Sequence, residues 1–260
     1  MNYENIIYSI EDGIAIIKLN RPERFNALNK KLMEELENAI DRISVDDGIK
    51  SVMITGDEKS FAAGADINEI REIKEASTAF NFAKGVGRVY NKIENLEKPV
   101  IAVISGYALG GGCELILACD LRIASPDAKF GLPEIKLGLL PGGGGTQRLL
   151  RLVGATKAKE LLYLGDPIGA EEALKIGLIN RIYPKESIFK EGKKLAKKLS
   201  KQAPVALRMI KSLINIGMNL DLKGALENEL KAFSILFSTE DKVEGINAFL
   251  EKREANFKGR

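Results

Sequence analysis

The sequence predicts an α/β protein that ends in a helical region, and three observations carry that prediction. Short β-branched apolar runs alternate with segments of helical period through the first part of the chain. Past about residue 200 the strand signals stop and the pattern becomes almost wholly helical. The chain has 260 residues, enough for a large buried core, with no Gly/Ser-rich or Pro-rich linker to divide it. The expected division is a core over 1–199 and a helical subdomain over 200–260.

Ile14-Ala15-Ile16-Ile17-Lys18-Leu19 reads as the first strand, ended by the turn residues Asn20-Arg21-Pro22. Asn29 is a candidate N-cap for a helix whose Leu32, Leu36, Ala39, Ile40 and Ile43 share one face. Ser51-Val52-Met53-Ile54-Thr55 is a second strand, followed by a small-residue loop at Phe61–Asp66. A helix is predicted over 79–96, stopped by Lys98-Pro99. Val100–Ile104 is continuously apolar, as a strand covered on both faces must be. A helix through Cys113–Cys119 and a strand at Leu121–Ala124 follow. Helices are expected at 156–164, 170–176, 187–217 and 222–253, with a last strand near 179–183.

Composition narrows the chemistry. There is no histidine, which removes Ser-His-Asp and Cys-His nucleophilic sites. Two cysteines provide neither a disulfide framework nor an ordinary zinc site. Cys113 and Cys119 read as small buried residues. A net charge of +3 is too small to argue for nucleic acid and suits a small anionic ligand. No run reaches the roughly 18–20 apolar residues of a membrane span, and the polar start at Met1–Asn5 lacks a signal-peptide pattern. The expected setting is the cytoplasm, with no membrane or nucleic-acid partner.

The chemistry concentrates in residues 105–148, where two glutamates lie among glycines. Glu114 follows Gly110-Gly111-Gly112, and Glu134 follows Phe130-Gly131-Leu132-Pro133. The run Gly142–Gly145 closes the segment. Neither the GxxxxGK[ST] nor the GxGxxG pattern is present, so these glycines are not a nucleotide-phosphate loop. A strand, a glycine turn and a helix start together offer unpaired N–H groups that suit a developing oxyanion. Ala63-Gly64-Ala65 can supply a second such donor. A carboxyl pair can hold a water and move protons. The plainer readings are tight turns for the glycines, a dipole-matching role for Glu114 and solvent exposure for Glu134. Thr146-Gln147-Arg148 reads as a helix start with a surface arginine, and the lysines of 190–201 as a solvated helix face.

These residues resemble the crotonase (enoyl-CoA hydratase/isomerase) superfamily. The resemblance runs through Leu19-Asn20-Arg21-Pro22, Phe61–Ile67, Gly106–Leu115, Phe130–Glu134, Pro141-Gly142 and Gly144–Arg148. It ends at Phe237–Asp241 and Phe249–Arg253, so it covers essentially the whole chain. It implies a ClpP-like spiral of ββα units followed by a helical trimerisation region, with homotrimers that pair into hexamers. It implies an acyl-CoA thioester substrate, with coenzyme A entering as the substrate's carrier and neither metal nor other cofactor.

The implied reaction is reversible syn hydration of a short-chain trans-2-enoyl-CoA to a (3S)-3-hydroxyacyl-CoA. The thioester oxygen maps onto the N–H groups of Ala65 and Gly111, and the acids onto Glu114 and Glu134. Ala63, Asp66, Ile67, Asn68, Gly142 and Lys252 map onto the substrate-binding positions. The sequence departs from familiar hydratases at Asn68 and Glu23, where some members carry lysine. The alternatives weighed are a 3-hydroxypropionyl-CoA dehydratase, an enoyl-CoA isomerase, and a non-catalytic binding protein on the same fold.

Overall fold

A computed structural model describes residues 3–260. The chain opens with a hairpin of β1 (Ile6–Glu11) and β2 (Ile14–Leu19). Asp12 and Gly13 turn it with φ of 51° and 76°, the left-handed pair that a two-residue hairpin loop demands. Strand β1 lacks a sequence signal because it is an edge strand: Ile6 is buried, whereas Ile7 and Ile10 face outward. Helix α1 (Lys30–Val45) starts where predicted, with Asn29 Oδ1 accepting from Leu32 N–H at 2.9 Å.

Next come β3 (Ser51–Thr55), β4 (Ser60–Ala62), α2 (Ile67–Glu72) and α3 (Ala76–Glu94). They are followed by β5 (Val100–Ile104), β6 (Tyr107–Leu109), α4 (Gly111–Leu117), β7 (Leu121–Ala124) and β8 (Lys129–Gly131). A 3-10 turn at Pro133–Leu137 leads to α5 (Gly145–Val153), α6 (Ala155–Leu164), β9 (Ile168–Gly169), α7 (Ala170–Lys175) and β10 (Arg181–Ile182). Helices α8 (Ile188–Ser200), α9 (Pro204–Gly217), α10 (Leu222–Leu236) and α11 (Glu240–Glu251) complete the chain.

Two sheets result. The larger runs β1-β2-β3-β5-β7-β10 and is parallel except for the first pair. The smaller runs β4-β6-β8-β9, with only β9 antiparallel. The chain visits them in turn: β3 then β4, β5 then β6, β7 then β8, with helices after each pair. This is the spiral of ββα units that the motifs imply. The second sheet corrects the loop reading of Phe61-Ala62, since both residues lie in β4. Its three-residue strands are too short to leave a period in the sequence.

Other boundaries move for identifiable reasons. Helix α4 begins at Gly111 and ends at Leu117, two residues short of Cys119. Pro204 at the first turn of α9 and the Thr239 cap of α11 split the two long helical stretches. Helix α8 covers one face of the large sheet. Ile188 and Ala196 pack there with Ile16, Met53, Val103 and Ile123. An ideal Cβ on Gly192 would lie 2.7 Å from Val103 Cγ2, so a glycine is required for this approach. Helices α9 and α10 bury no residue fully. Lys211 anchors α9 by donating to Asp120 Oδ2 at 2.8 Å and to Lys98 O at 3.2 Å. No helix among the described residues is long and apolar enough to cross a membrane.

Candidate active site

The small sheet delivers the site. Strand β4 ends at Ala62, and Gly64 turns the chain at φ +116°. Leu28 N–H donates to Gly64 O and Asp66 N–H to Leu28 O, at 2.8 and 3.0 Å, which pins the segment on both sides of Ala65. Strand β6 ends at Leu109, and Gly110 turns into α4 at φ +50°. An ideal Cβ on Gly112 would run into Ala62 O, so only glycine lets α4 press onto β4. The Ala65 and Gly111 turns therefore meet. The Cβ position of Gly111 lies 3.5 Å from Ala65 N, and that of Gly110 lies 3.5 Å from Gly64 Cα. Neither Ala65 N–H nor Gly111 N–H donates to an acceptor among the described residues.

Two carboxyls flank these donors. Glu114 sits in the first turn of α4, 3 % exposed. Its Oε1 accepts from Gly143 N–H at 2.8 Å and from Gly145 N–H at 2.7 Å. Burial pushes its pKa up to about 7, against the opposing pull of those two N–H groups, with the Glu134 charge adding to the rise and Arg148 reducing it. Glu134 enters from the 3-10 turn, with Oε1 3.2 Å from the Cβ position of Gly110. Its Oε2 is buried with no hydrogen-bond partner among the described residues. Burial raises its pKa too. Glu134 is thus partly buried, not the surface carboxylate of the plainer reading.

The remaining predicted residues fall into two groups. Ala63, Asp66, Ile67 and Asn68 continue the Ala65 segment. Ala63 is exposed, and its N–H donates to Phe25 O at 3.0 Å. Ile67 and Asn68 open α2 as exposed residues. Asp66 caps that helix, accepting from Asn68 N–H at 3.1 Å, and pairs with Arg21 at 3.1 Å. The Arg21 guanidinium and the cap offset burial and hold its carboxyl below the usual range. Gly142 is exposed beside Gly143, with Ala83 Cβ 3.4 Å from its ideal Cβ. Lys252 belongs to none of these contacts. It is the exposed left-handed cap of α11, φ 56°.

Three residues escaped the sequence reading. Tyr90 is buried in α3, donating its hydroxyl to Gly111 O at 2.7 Å. Its ring lies 2.6 Å from the Cβ position of Gly143. A tyrosine among Val86, Val89 and Ile93 reads as core, and its need for a hydroxyl partner was the available signal. Arg148 is no surface arginine: its side chain is 12 % exposed and pairs with Glu94, the third missed residue, at 2.7 Å. The two cysteines are buried as expected, with thiols pushed up by burial, that of Cys119 to about 12.

Residues 9–260 match the family model of enoyl-CoA hydratase/isomerase. The chain belongs to this family. Its membership makes it an enzyme of enoyl-CoA chemistry, with an acyl-CoA substrate. It is similar to a crotonyl-CoA hydratase of Syntrophomonas wolfei, 46 % identical over 258 residues that cover 99 % of each chain. It is 44 % identical over 262 residues to a short-chain-enoyl-CoA hydratase of Clostridium acetobutylicum, all of both chains being covered. The crystal structure of an enoyl-CoA hydratase from Bacillus anthracis has a TM-score of 0.95 at 39 % identity. It covers 99 % of this chain and 100 % of that one. The two mixed sheets and the helical C-terminal region are this family's fold.

Proposed function

We propose that this family member adds water reversibly and syn to a short-chain trans-2-enoyl-CoA such as crotonyl-CoA, giving the (3S)-3-hydroxyacyl-CoA. The observation that carries the reading is the convergence of two raised carboxyls on two unpaired N–H groups. The names of the relatives in Syntrophomonas wolfei and Clostridium acetobutylicum support the short acyl chain.

The thioester oxygen accepts from Ala65 N–H and Gly111 N–H. That draws electrons out of the conjugated double bond and makes C3 electrophilic. One such donor is typically worth about 3–4 kcal/mol of transition-state stabilisation. The free Oε2 of Glu114 accepts a proton from a water whose oxygen bonds to C3. Glu134, in its acid form, gives its proton to C2 as the enolate electrons return. Both additions come from the carboxylate side, which makes the reaction syn. Proton exchange between the two carboxyls restores the starting state. No metal or other cofactor takes part in this scheme.

The segment Ala63–Asn68 borders the thioester, with Asp66 acting by fixing the segment rather than by touching substrate. Gly142 gives the acyl chain room beside Ala83. Lys252 is the candidate cation for the coenzyme A phosphates, from its own or a neighbouring subunit. Homotrimers pairing into hexamers are supported by the apolar side chains that α9–α11 leave outside, such as Leu222 at 75 % and Phe249 at 83 % exposed. The core over 1–199 and the helical part over 200–260 are the corresponding division of labour, and the cytoplasm is the proposed setting.

The test is hydration of crotonyl-CoA, followed by loss of the conjugated thioester absorbance, in wild type and in Glu114→Gln and Glu134→Gln. Turnover by wild type and its collapse in both variants is the expected result. Product formed in deuterated water, read by NMR, should carry deuterium at C2 in the syn diastereomer with 3S configuration. Turnover retained in either variant would refute the two-acid scheme.

A further inference from the structure

Arg148 has three partners, and only two of them are explained by packing. Its Nε and Nη2 donate to Glu94 Oε2 at 3.2 and 2.7 Å, and Nη2 also to Asn91 Oδ1 at 2.6 Å. Those bonds staple α5 to α3. The third bond goes elsewhere: Nη1 donates to Gly143 O at 2.8 Å. Gly143 is the residue whose own N–H donates to Glu114 Oε1. The glycine is thus held from both ends, its N–H on the carboxylate and its C=O on the guanidinium. Gly144, at φ +106°, lies against the same guanidinium, since a Cβ there would strike Nη1. Gly145 follows with the second N–H on Oε1. A four-glycine loop has high conformational freedom. Here a charged group anchored to α3 immobilises it through a charge-assisted hydrogen bond.

We propose that Arg148 is a positioning residue for Glu114. By holding Gly143 O it keeps the Gly143 and Gly145 N–H groups on Oε1 and leaves Oε2 facing the reacting water. It does not touch substrate. This inference rests on the two-acid reading of the site. It also has an electrostatic consequence. The charged or titratable groups facing Glu114 are Glu134 from the 3-10 turn, Tyr90 from α3, Cys113 beside it in α4, and Arg148 from α5. Arg148 is the cation among them and favours the ionised form of Glu114.

The test is a double-mutant cycle of Arg148→Gln and Glu114→Gln on crotonyl-CoA, with kcat, KM and the pH profile measured for each. Arg148→Gln should lower kcat roughly 10- to 100-fold with KM within about threefold, and move the rising limb of the pH profile to higher pH. In the Glu114→Gln background it should cause no further loss. Arg148→Lys, which keeps the charge but not the fork, should restore the limb and only part of kcat. Losses that multiply in the double variant overturn the proposal, as does an unchanged kcat and limb in Arg148→Gln. If Arg148→Gln does not fold, Arg148→Lys decides alone: a kcat fall of threefold or more at unchanged KM supports the role, and no fall overturns it. Undiminished turnover by Glu114→Gln would instead remove the two-acid reading and this inference with it.

Discussion

The two acids occupy opposite kinds of shelf. Glu114 lies on a glycine shelf where two main-chain N–H groups grip one oxygen at 2.7 and 2.8 Å. Glu134 projects from a proline-led turn with one oxygen buried and unpartnered among the described residues. One side chain type therefore meets two environments. Burial raises the pKa of both carboxyls, that of Glu114 to about 7 in spite of the two N–H groups that grip it. The difference teaches that main-chain donors, rather than residue identity, decide which carboxyl is held in one orientation.

Removing either acid should break the comparison most severely. Glu134→Gln and Glu114→Gln are each expected to lower kcat by about 10²–10⁴, measured with crotonyl-CoA. Equal residual turnover would mean that both act in one step, while a much smaller loss in Glu114→Gln would assign it to orientation alone.

Crowding the glycine shelf should come next. A Cβ on Gly143 would lie 2.6 Å from the Tyr90 ring and 2.9 Å from Glu114 Oε2. Gly143→Ala should cut kcat by about tenfold or more and destabilise the fold by about 1–3 kcal/mol, read by turnover and chemical denaturation. A variant with native melting and native kcat would show that the shelf yields freely.

The pH dependence sharpens the same contrast. Catalysis needs one carboxyl ionised and the other protonated, so kcat should follow a bell whose two limbs belong to the coupled pair, in the range that the raised pKa of Glu114, about 7, sets. Stability should run the other way. The folded pKa is about 7, whereas an unfolded glutamate titrates near 4.3, so between these values the folded state holds the extra proton. Stability contributed by that proton is present below about 4.3 and is lost as pH rises through about 7. Glu114→Gln should therefore be more stable than wild type at pH 8, by about 3–4 kcal/mol. Equal denaturation midpoints at pH 8 would contradict this.

The smallest effect is expected at the oxyanion turn. Asp66→Ala removes a helix cap and the Arg21 partner of the Ala65 segment, at a cost of about 1 kcal/mol and a few-fold loss in kcat/KM. Restoration by Asp66→Asn, which can still cap, would separate the cap from the ion pair.

Much of this was legible in the chain. Continuous apolar runs revealed β2, β3 and β5, which are buried on both faces, and the 3.6 period revealed α1, which buries one face. The second sheet stayed hidden because Ser60–Ala62, Tyr107–Leu109 and Lys129–Gly131 are too short to show a period. Glu114 and Glu134 stood out from their glycine setting. Tyr90, Glu94 and Arg148 did not, since each reads locally as an ordinary core or surface residue.

By itself the sequence determined the α/β order, the glycine turns, the acid pair and the family. Glycines and apolar periods act over a few residues, so their meaning is local. The tertiary structure alone decided which oxygen of Glu114 is gripped, that Glu134 has a buried oxygen with no partner among the described residues, and that Ala65 meets Gly111. Those facts depend on contacts such as Gly112 on Ala62 and Gly143 on Tyr90, between segments far apart in the chain. Burial, which moves both carboxyls, belongs to the packed whole and to no single residue.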